Sequence, residues 1–505
     1  MKKSMIPFHV FLISLMPILI LYQNNLGEIP IEDIIVPLIL SISIVSISWF
    51  ILKSLFCSNK VGLVISFTII LLILFSYIRL YFANNTNIYF NFIGNNIILM
   101  PITLCIGIVA IIYIYKKNIS NDLISIFNVM SVVIVMFLVI PIGYHFISDD
   151  SQITSLSKFV EIPIIQSDVT EKPDVYFLVL DAYSGDITLQ QDYNYDNSKF
   201  KNELKDRGFV VQKPSYSNYP NTNLSMPSIM NMVYLDSIAE ELGKNSQVVT
   251  GMKEIRNENN VMKIFKGNNY HIASFFAGAN AVASKELLDE RLCGSIFNLS
   301  PELQRAFTYH YFPLSYTRAL FYDNYQFERL DCTFDTILNY EKQNDLPLYI
   351  HMHILLPHPP FIYNSFGERV DHKYTEDQFD ESLRDAYLEQ LIFANKITLE
   401  MIDSIQNRDA NSVIILMSDH GGRLGVDWNN PTELDYYRAF NNLSAFYFPG
   451  HADELPENIA AVNTFRVFFN AYFDTDYELL EDRQMWYSPE RPYDQTNVAK
   501  KLLKN

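Results

Sequence analysis

The sequence predicts an α-helical membrane domain with five spans, followed by an external α/β domain in which helices sandwich a mostly parallel sheet. Three observations indicate this fold class. The first third of the 505-residue chain contains five long apolar runs. The remainder alternates short β-branched runs with helical stretches, as a parallel sheet covered by helices requires. Two of the short runs end in potential metal ligands, which indicates a site at the carboxyl edge of the sheet.

The membrane domain is predicted from the length of the apolar runs. Each run has roughly the 20 residues that a helix needs to cross the hydrocarbon core. The runs cover residues 6–22, 34–56, 61–83, 97–115 and 123–146. The first run could instead be a cleavable signal peptide, but no small-residue cleavage site follows it. We therefore predict a membrane domain over residues 1–148.

Basic residues in the loops predict the orientation of this domain. The loops after the first and third runs, residues 23–33 and 84–96, contain no Lys or Arg. Because basic loops stay in the cytoplasm, we predict a multi-pass protein of a bacterial-type plasma (inner) membrane, with a cytoplasmic N-terminus and an extracytoplasmic C-terminal domain. The lysines that mark the cytoplasmic side are Lys2, Lys3, Lys53, Lys60, Lys116 and Lys117.

Charge and cysteine content restrict the partners and the compartment of the outer domain. Residues 1–150 contain seven basic and six acidic side chains, so the rest of the chain has a net charge of about −19. Such a surface repels nucleic acid, which we exclude as a partner. Cys293 and Cys332 are the two cysteines of the outer domain, and an oxidising compartment would allow them to pair. Their sequence separation leaves that pairing open.

A polar linker at residues 149–171 is predicted to lead into the external domain at 172–505. Strands are predicted at residues 175–180, 209–212, 271–276, 348–354, 412–417 and 444–448. Helical stretches between them include residues 197–206, 376–406 and 460–472. This alternation predicts that binding residues lie beyond the carboxyl ends of the strands.

Candidate metal ligands follow two of these strands directly. One strand ends in Asp181, and another runs into Ser418-Asp419-His420-Gly421. Carboxylate oxygens with one imidazole nitrogen suit Zn²⁺ or Mn²⁺, with Mg²⁺ or Ca²⁺ as alternatives, and are poor ligands for soft metals. The sequence therefore predicts a divalent metal at the edge where the two strands end.

A hydroxyl-rich segment between these strands is the candidate for the reacting group. Thr222 and Ser225 follow a turn-rich stretch and precede an apolar run that starts at Ile229. A hydroxyl in this position is commonly a helix N-cap. The N-terminus of a helix also attracts anions, so the same hydroxyl would lie beside a natural phosphate or sulfate site.

Taken in order, these motifs resemble the alkaline phosphatase and sulfatase superfamily. They are Asp181 after a strand, the Thr222 segment, a Pro-His-Pro-Pro-Phe loop around His358, and Asp419-His420 after a later strand. Within that superfamily the chain is most similar to membrane-anchored phosphoethanolamine transferases and lipoteichoic acid synthases, which place five spans before an external catalytic domain. The resemblance implies an alkaline phosphatase-like fold for the external domain.

The resemblance also implies residue roles. Thr222 matches the nucleophile, because Ser225 and Pro227 follow it at the spacing of the transferases. Asp181, Asp419, His420 and Thr222 would ligate the metal, and His358 would act on the substrate. A bound divalent cation lowers the pKa of a hydroxyl ligand and offsets phosphoryl charge, so attack by Thr222 would form a phospho-threonine. Further substrate-binding candidates are Ser225, His351, His353 and Asn441.

Three functions remain open at this point. The first is a metal-dependent hydrolase or transferase acting on phosphate-type esters of cell-envelope lipids or glycans. The second is a sulfatase using Ser225, although Ile229 stands where that motif needs Arg. The third is an inactive pseudoenzyme that binds the envelope. The resemblance to the transferases also implies a His about a dozen residues after His420, and this chain has none there. Because His351 and His353 alternate along an apolar strand, one of them is expected to be a core residue. The sequence does not predict the oligomeric state.

Overall fold

The structure is a computed structural model that describes residues 6–26, 31–56, 60–83, 96–117, 121–247, 250–275, 284, 286–293, 324–370 and 381–502. The chain divides into two compact units near residue 150. In its described part, the first unit consists of apolar helices. They are α1 (His9–Asn24), α2 (Ile31–Phe56), α3 (Val61–Ala83), α4 (Asn96–Lys116) and α5 (Asn121–Ser157).

Four of these helices, α2 to α5, are long and apolar enough to cross a membrane. The first, α1, has 16 residues. At about 1.5 Å per residue this length is short of a hydrocarbon core of about 30 Å. Within the described residues the fifth predicted span is therefore not confirmed, and the orientation that depended on the span count stays a prediction. The last helix, α5, continues to Ser157, beyond the predicted start of the linker at residue 149.

The second unit is built on a sheet whose described part has seven strands in the order β2-β7-β6-β1-β5-β3-β4. The strands from β6 to β4 in this order are mutually parallel. At the other edge β7 is antiparallel to β6, and β2 is antiparallel to β7. The strands are β1 (Val175–Leu180), β2 (Val210–Val211), β3 (His271–Phe275), β4 (Glu290–Leu292), β5 (Leu348–Ile354), β6 (Val413–Met417) and β7 (Ser444–Tyr447). A separate antiparallel pair consists of β8 (Met485–Trp486) and β9 (Thr496–Asn497). The predicted mostly parallel α/β domain is confirmed.

Helices connect these strands. In the described residues they are α6 (Asp186–Tyr193), α7 (Ser198–Asp206), α8 (Thr222–Asn231), α9 (Asp236–Leu242), α10 (Thr250–Asn257), α11 (Asn260–Gly267), α12 (Asn324–Leu338), α13 (Glu381–Arg408), α14 (Glu433–Phe440), α15 (Thr464–Phe473) and α16 (Ala499–Leu502), with short 3₁₀ turns at Ala452–Glu454 and Ala461–Asn463.

Apolar side chains cover the sheet on both faces. Because successive strand residues point to opposite faces, the odd and even positions of β1 enter two different hydrophobic clusters. The even positions Tyr176, Leu178 and Leu180 pack with residues of α12 and α13. The odd positions Val175, Phe177 and Val179 pack with α8, α11 and α15. The central strands β1, β5 and β6 are buried on both faces, which explains why they are continuous apolar runs in the sequence.

Cys293 and Cys332 form a disulfide, with their Cα atoms 5.8 Å apart. The bond joins the residue after β4 to α12 and settles the pairing that the sequence left open. Disulfides of this kind persist in oxidising compartments. The pairing is therefore consistent with the predicted extracytoplasmic location of the second unit.

Candidate functional site

The carboxyl ends of three adjacent strands bring the candidate ligands together. Strand β1 lies between β5 and β6 and is parallel to both, with Val179 in register with His353 on one side and Met417 on the other. Asp181 and Asp419 each follow two residues after that register position, so all three side chains project to the same face of the sheet. Two carboxylates and an imidazole that are distant in sequence thus meet at one edge.

The distances in this cluster are short. The Nε2 atom of His353 lies 3.2 Å from Oδ2 of Asp181 and 3.9 Å from Oδ2 of Asp419. The Nε2 atom of His420 lies 3.6 Å from Oδ1 of Asp181 and 3.3 Å from Oδ2 of Asp419. All four side chains are fully buried. The sequence had placed His353 among the substrate-binding candidates, whereas the structure places its imidazole beside the carboxylates.

This donor set fits a divalent cation. One ligand atom from each of Asp181, Asp419 and His420 lies within 4.8 Å of the others. Two buried carboxylates at such spacing repel each other and are expensive to desolvate unless a positive charge lies between them. His353 adds a second imidazole within reach of Asp181. Zn²⁺ and Mn²⁺ accept this mixture of oxygen and nitrogen ligands.

The protonation states also suit metal binding. Burial, supported by the charge of Arg423, lowers the pKa of His420 to about 4, so its imidazole is neutral and can donate a lone pair at neutral pH. Burial alone would raise the pKa of Asp181. The neighbouring His358, His353 and His420 outweigh burial and hold that pKa well below its usual range. Asp181 is therefore an ionised carboxylate.

Thr222 lies directly against this cluster. It is the first residue of α8, and Asn221 caps the helix by accepting a hydrogen bond from the Asn223 backbone N–H. The Thr222 hydroxyl donates to Oδ2 of Asp419 at 2.6 Å, and its oxygen lies 3.1 Å from Nε2 of His420. The helix N-terminus adds a partial positive charge at the same point. The hydroxyl thus lies between the candidate ligands and a place suited to an anion.

Ser225 occupies a different position. Its side chain is buried on α8, and its hydroxyl donates to the backbone carbonyl of Asp419 at 2.6 Å. That hydrogen bond joins α8 to the segment that carries Asp419 and His420. The geometry therefore gives Ser225 a supporting role at this helix and leaves Thr222 as the hydroxyl that faces the cluster.

His358 lies in the loop that follows β5, close to Asp181. Its backbone N–H donates to the carbonyl of Asp181 at 3.1 Å, and its Nδ1 lies 2.5 Å from the carbonyl oxygen of Pro359. Gln390 of α13 donates to the carbonyl of His358 at 3.0 Å and fixes the loop from the other side. The loop thus holds a half-buried imidazole at the rim of the cluster.

The two histidines of β5 differ in surroundings although both project to the same face. His351 is buried, and its ring stacks on Phe177 with centroids 5.4 Å apart. Burial lowers the pKa of His351 well below its ordinary value, so the ring is neutral. His351 is therefore packed as the core residue of the pair, and its role in substrate binding stays a prediction.

The Asn441 side chain makes three hydrogen bonds to backbone groups. Its side-chain oxygen accepts from the backbone N–H groups of Ile187 and Thr188 at 3.0 and 3.2 Å, and its NH₂ donates to the carbonyl of Ser215 at 3.1 Å. These bonds satisfy the first turn of α6, whose own N-cap, Gly185, offers no side chain. The amide is thus held by backbone groups, and a role of Asn441 in substrate binding stays a prediction.

We expect Asn441→Ala to destabilise the second unit by about 1–3 kcal/mol, because it leaves two N–H groups without acceptors. The midpoint of thermal unfolding should fall, while the Michaelis constant for an ester substrate should stay the same. Asn339→Ala is a suitable control, since the Asn339 amide makes an exposed hydrogen bond. An unchanged midpoint together with a raised Michaelis constant would return Asn441 to substrate binding.

Gly421 explains how the chain turns after His420. A Cβ atom at this residue would lie 2.3 Å from the carbonyl oxygen of Arg438, and the Gly421 N–H donates to the Ala439 carbonyl at 2.9 Å. Only glycine permits this approach of two backbones. Ser418 adds to the turn, since its hydroxyl donates to the carbonyl of His420 at 2.6 Å and accepts from the N–H of Tyr183 at 2.9 Å. The local sequence therefore fixes the direction of both ligands.

A comparison with protein families identifies this architecture. The model of the family described as Sulfatase matches residues 173–466, which is more than half of the chain. The chain belongs to the sulfatase family. The match contains Asp181, Thr222, His358, Asp419 and His420, and it confirms the predicted resemblance and the prediction of an enzyme that hydrolyses or transfers phosphoric or sulfuric esters.

Solved structures similar to this sulfatase-family chain include a periplasmic domain, the soluble domain of a transferase and a synthase. The C-terminal periplasmic domain of EptC from Escherichia coli, in complex with Zn, is 12% identical over 67% of this chain and 96% of that chain, with a TM-score of 0.42. The soluble domain of lipooligosaccharide phosphoethanolamine transferase A from Neisseria meningitidis is 15% identical over 62% and 93%, with a TM-score of 0.39. The lipoteichoic acid synthase LtaP from Listeria monocytogenes is 12% identical over 68% and 81%, with a TM-score of 0.37. A search of the curated proteins gave no match.

Proposed function

We propose that this protein is a membrane-anchored, metal-dependent enzyme that cleaves or transfers a phosphate-type ester of a cell-envelope lipid or glycan through a covalent phospho-threonine at Thr222. The observation that carries the proposal is the position of the Thr222 hydroxyl, 2.6 Å from Asp419 and 3.1 Å from His420 at the N-terminus of α8. A nucleophile needs this contact with the groups that activate it and an adjacent place for the anion.

Asp181, Asp419, His420 and Thr222 would hold the divalent cation, with His353 as an additional imidazole beside Asp181. A divalent cation supplies Lewis-acid stabilisation of the phosphoryl oxygens and lowers the pKa of a hydroxyl near it. We infer Zn²⁺ or Mn²⁺ from the mixture of oxygen and nitrogen ligands.

Residues of this chain would carry out both steps of the reaction, the formation of the phospho-threonine and its breakdown. Thr222 Oγ1 attacks phosphorus and gives its proton to Asp419 Oδ2, the acceptor of its hydrogen bond, while the bond from phosphorus to the departing alcohol breaks. His358 would give that alcohol oxygen a proton. In the second step His358 takes a proton from water or an acceptor alcohol, whose oxygen attacks phosphorus; the bond between Oγ1 and phosphorus breaks, and Oγ1 recovers its proton from Asp419.

Sulfate-ester chemistry at Ser225 is the second candidate. Ser225 stands at the first position of the required motif, but its hydroxyl donates a hydrogen bond to the Asp419 backbone carbonyl. The Thr222 hydroxyl instead contacts the Asp419 carboxylate, a candidate metal ligand. Ile229, which stands where the motif needs Arg, adds an apolar side chain to the core instead. The geometry thus favours Thr222 and a phosphate-type ester.

Two features of the chain support the proposed location at a membrane and in an oxidising compartment. Four candidate spans precede the catalytic unit, and α5 continues from the last of them to Ser157. The disulfide between Cys293 and Cys332 supports an oxidising, extracytoplasmic compartment. An enzyme tethered in this way meets envelope lipids or glycans at the membrane face.

The test is turnover by the full-length protein in detergent with Zn²⁺ or Mn²⁺, using p-nitrophenyl phosphate, bis-p-nitrophenyl phosphate and p-nitrophenyl sulfate. We expect hydrolysis of at least one phosphate ester and little of the sulfate. Preferential cleavage of the sulfate would support the sulfatase. Metal binding without turnover of these compounds or of envelope phospholipid donors would support a binding pseudoenzyme.

A further inference from the structure

Arg423 is a cation in the segment that follows the candidate metal ligands Asp419 and His420. In the described part of the chain its guanidinium makes no hydrogen bond or ion pair, and its Nε is buried. Other partly buried arginines have full sets of partners: Arg207 contacts Asp403 and Glu203, and Arg438 contacts Asp192 and Asp435. Because a buried N–H without an acceptor is costly, the Nε–H of Arg423 is expected to serve a ligand.

The backbone holds Arg423 in an unusual conformation. It lies three residues after His420 and has a φ of 59°, in the left-handed region that bulky residues rarely adopt. Its N–H donates to the carbonyl of Arg438 at 3.0 Å, and its carbonyl accepts from the N–H of Val426 at 3.3 Å. These two hydrogen bonds fix the backbone conformation of Arg423 and so limit the direction of its side chain. Non-glycine residues with such backbone conformations concentrate at functional sites.

Arg423 lies close to the catalytic cluster. The N–H groups of Gly421 and Arg423 donate to the neighbouring carbonyls of Ala439 and Arg438 at 2.9 and 3.0 Å, so α14 holds the turn that carries both His420 and Arg423. The cluster contains two carboxylates, Asp181 and Asp419, so an anionic substrate approaching it meets negative charge as well as the metal. An unpaired arginine at this position would offset that repulsion.

Tyr487 supplies a second unpartnered donor in the same region. Its side chain is 3% exposed, and its hydroxyl is buried with no hydrogen-bond partner among the described residues. By contrast, the hydroxyl of the equally buried Tyr219 accepts from the N–H of Leu235 at 2.8 Å. Buried tyrosine hydroxyls normally have such a partner.

Packing joins the segments that carry these two donors. Trp428, in the loop that begins at Arg423, stacks on Trp486 with ring centroids 5.0 Å apart. Trp486 precedes Tyr487 directly, and its strand pairs with β9. The stacking therefore anchors the C-terminal segment against the loop that follows the metal ligands.

We propose that Arg423 and Tyr487 bind the charged oxygens of the ester, which makes them substrate-binding residues of the site. This inference rests on the proposed function. The ligand is a tetrahedral oxyanion of the phosphate type: a guanidinium donates to two of its oxygens in a fixed fork, and the phenol hydroxyl donates to a third.

The test is binding of inorganic phosphate to the full-length protein in detergent with Zn²⁺ or Mn²⁺, measured by isothermal titration calorimetry. Arg423→Gln should weaken phosphate binding about tenfold or more, because it removes a charged donor. Arg423→Lys should retain part of the affinity, since it keeps the charge and loses the fork. Tyr487→Phe should weaken binding by about threefold to tenfold, the effect of one neutral hydrogen bond. The exposed Arg491→Gln, which loses a surface pair with Asp494, is the control and should bind as the parent does.

Two further measurements separate substrate binding from a structural role. The affinity for the metal should be unchanged in Arg423→Gln, and the Michaelis constant for p-nitrophenyl phosphate should rise more than kcat falls. Unchanged phosphate binding by folded Arg423→Gln and Arg423→Lys, or an equal loss of metal affinity, would overturn the inference. If the parent protein hydrolyses no ester but loses phosphate binding in Arg423→Gln, the proposed function fails and the anion-binding pair stands.

Discussion

Replacing Thr222 by alanine is expected to reduce turnover of the best phosphate ester by about 10³-fold or more, since the attacking oxygen is removed. Metal affinity should fall much less, because Asp181, Asp419 and His420 remain. Mass spectrometry of the intact protein, quenched during turnover, should detect a phosphoryl adduct on Thr222 of the parent and none in the variant. These two readouts test the nucleophile and the covalent step separately.

Ser225→Ala is the matched control for this prediction, since it removes a hydroxyl three residues away on the same helix. We expect it to keep most of the turnover, with a modest loss of stability from the missing bond to the Asp419 carbonyl. Activity that survives Thr222→Ala and disappears in Ser225→Ala would reverse the assignment and favour the sulfatase.

Asp419→Asn is expected to weaken binding of Zn²⁺ or Mn²⁺ by at least about 100-fold. This loss exceeds the one typically seen when a residue that only hydrogen-bonds to a metal ligand is replaced. The substitution replaces a buried carboxylate with a neutral amide of the same shape, and it also removes the negative acceptor of the Thr222 hydroxyl. Turnover should therefore fall with metal occupancy and stay low when the metal is supplied in excess. Metal titration by calorimetry, together with metal analysis of the purified protein, measures the first effect.

Asp427→Asn provides the control for Asp419. Asp427 is an acidic residue further along the same segment, and its carboxylate accepts from the N–H groups of Asn429 and Asn430 in a turn. Its loss should leave the metal affinity unchanged. Parent-like affinity in Asp419→Asn would place the metal elsewhere, and a large loss in Asp427→Asn would make Asp427 a ligand.

The sequence predicted the central strands and the main ligands because both depend on local patterns. A strand buried on both faces gives a continuous apolar run, and a polar residue immediately after it must lie at the carboxyl edge of the sheet. Asp181, Asp419 and His420 are candidate metal ligands on this basis, and the structure brings them within 4.8 Å of one another. Thr222 followed from the turn signals before α8 and from the order of the motifs.

Residues whose role depends on long-range packing were harder to predict. His351 and His353 have the same strand pattern and share one face, and only the neighbouring Phe177 and Asp181 separate a core ring from a ring in the cluster. Asn441 contacts residues about 250 positions away, so no local pattern shows its role. Arg423 was missed because an arginine in a polar loop is ordinarily solvated.

The geometry of the cluster also has a consequence for how the enzyme matures. Asp419 receives the N–H of Ala182 across 237 residues of chain, and β1 separates the strands that end near His353 and Asp419. A nascent chain therefore lacks the complete set of ligands until residue 420 has left the ribosome and β6 has docked beside β1. With these residues as the proposed ligands, we expect metal loading to be a late event in biogenesis, and a chain truncated before β6 would carry Thr222 without its contacts to Asp419 and His420.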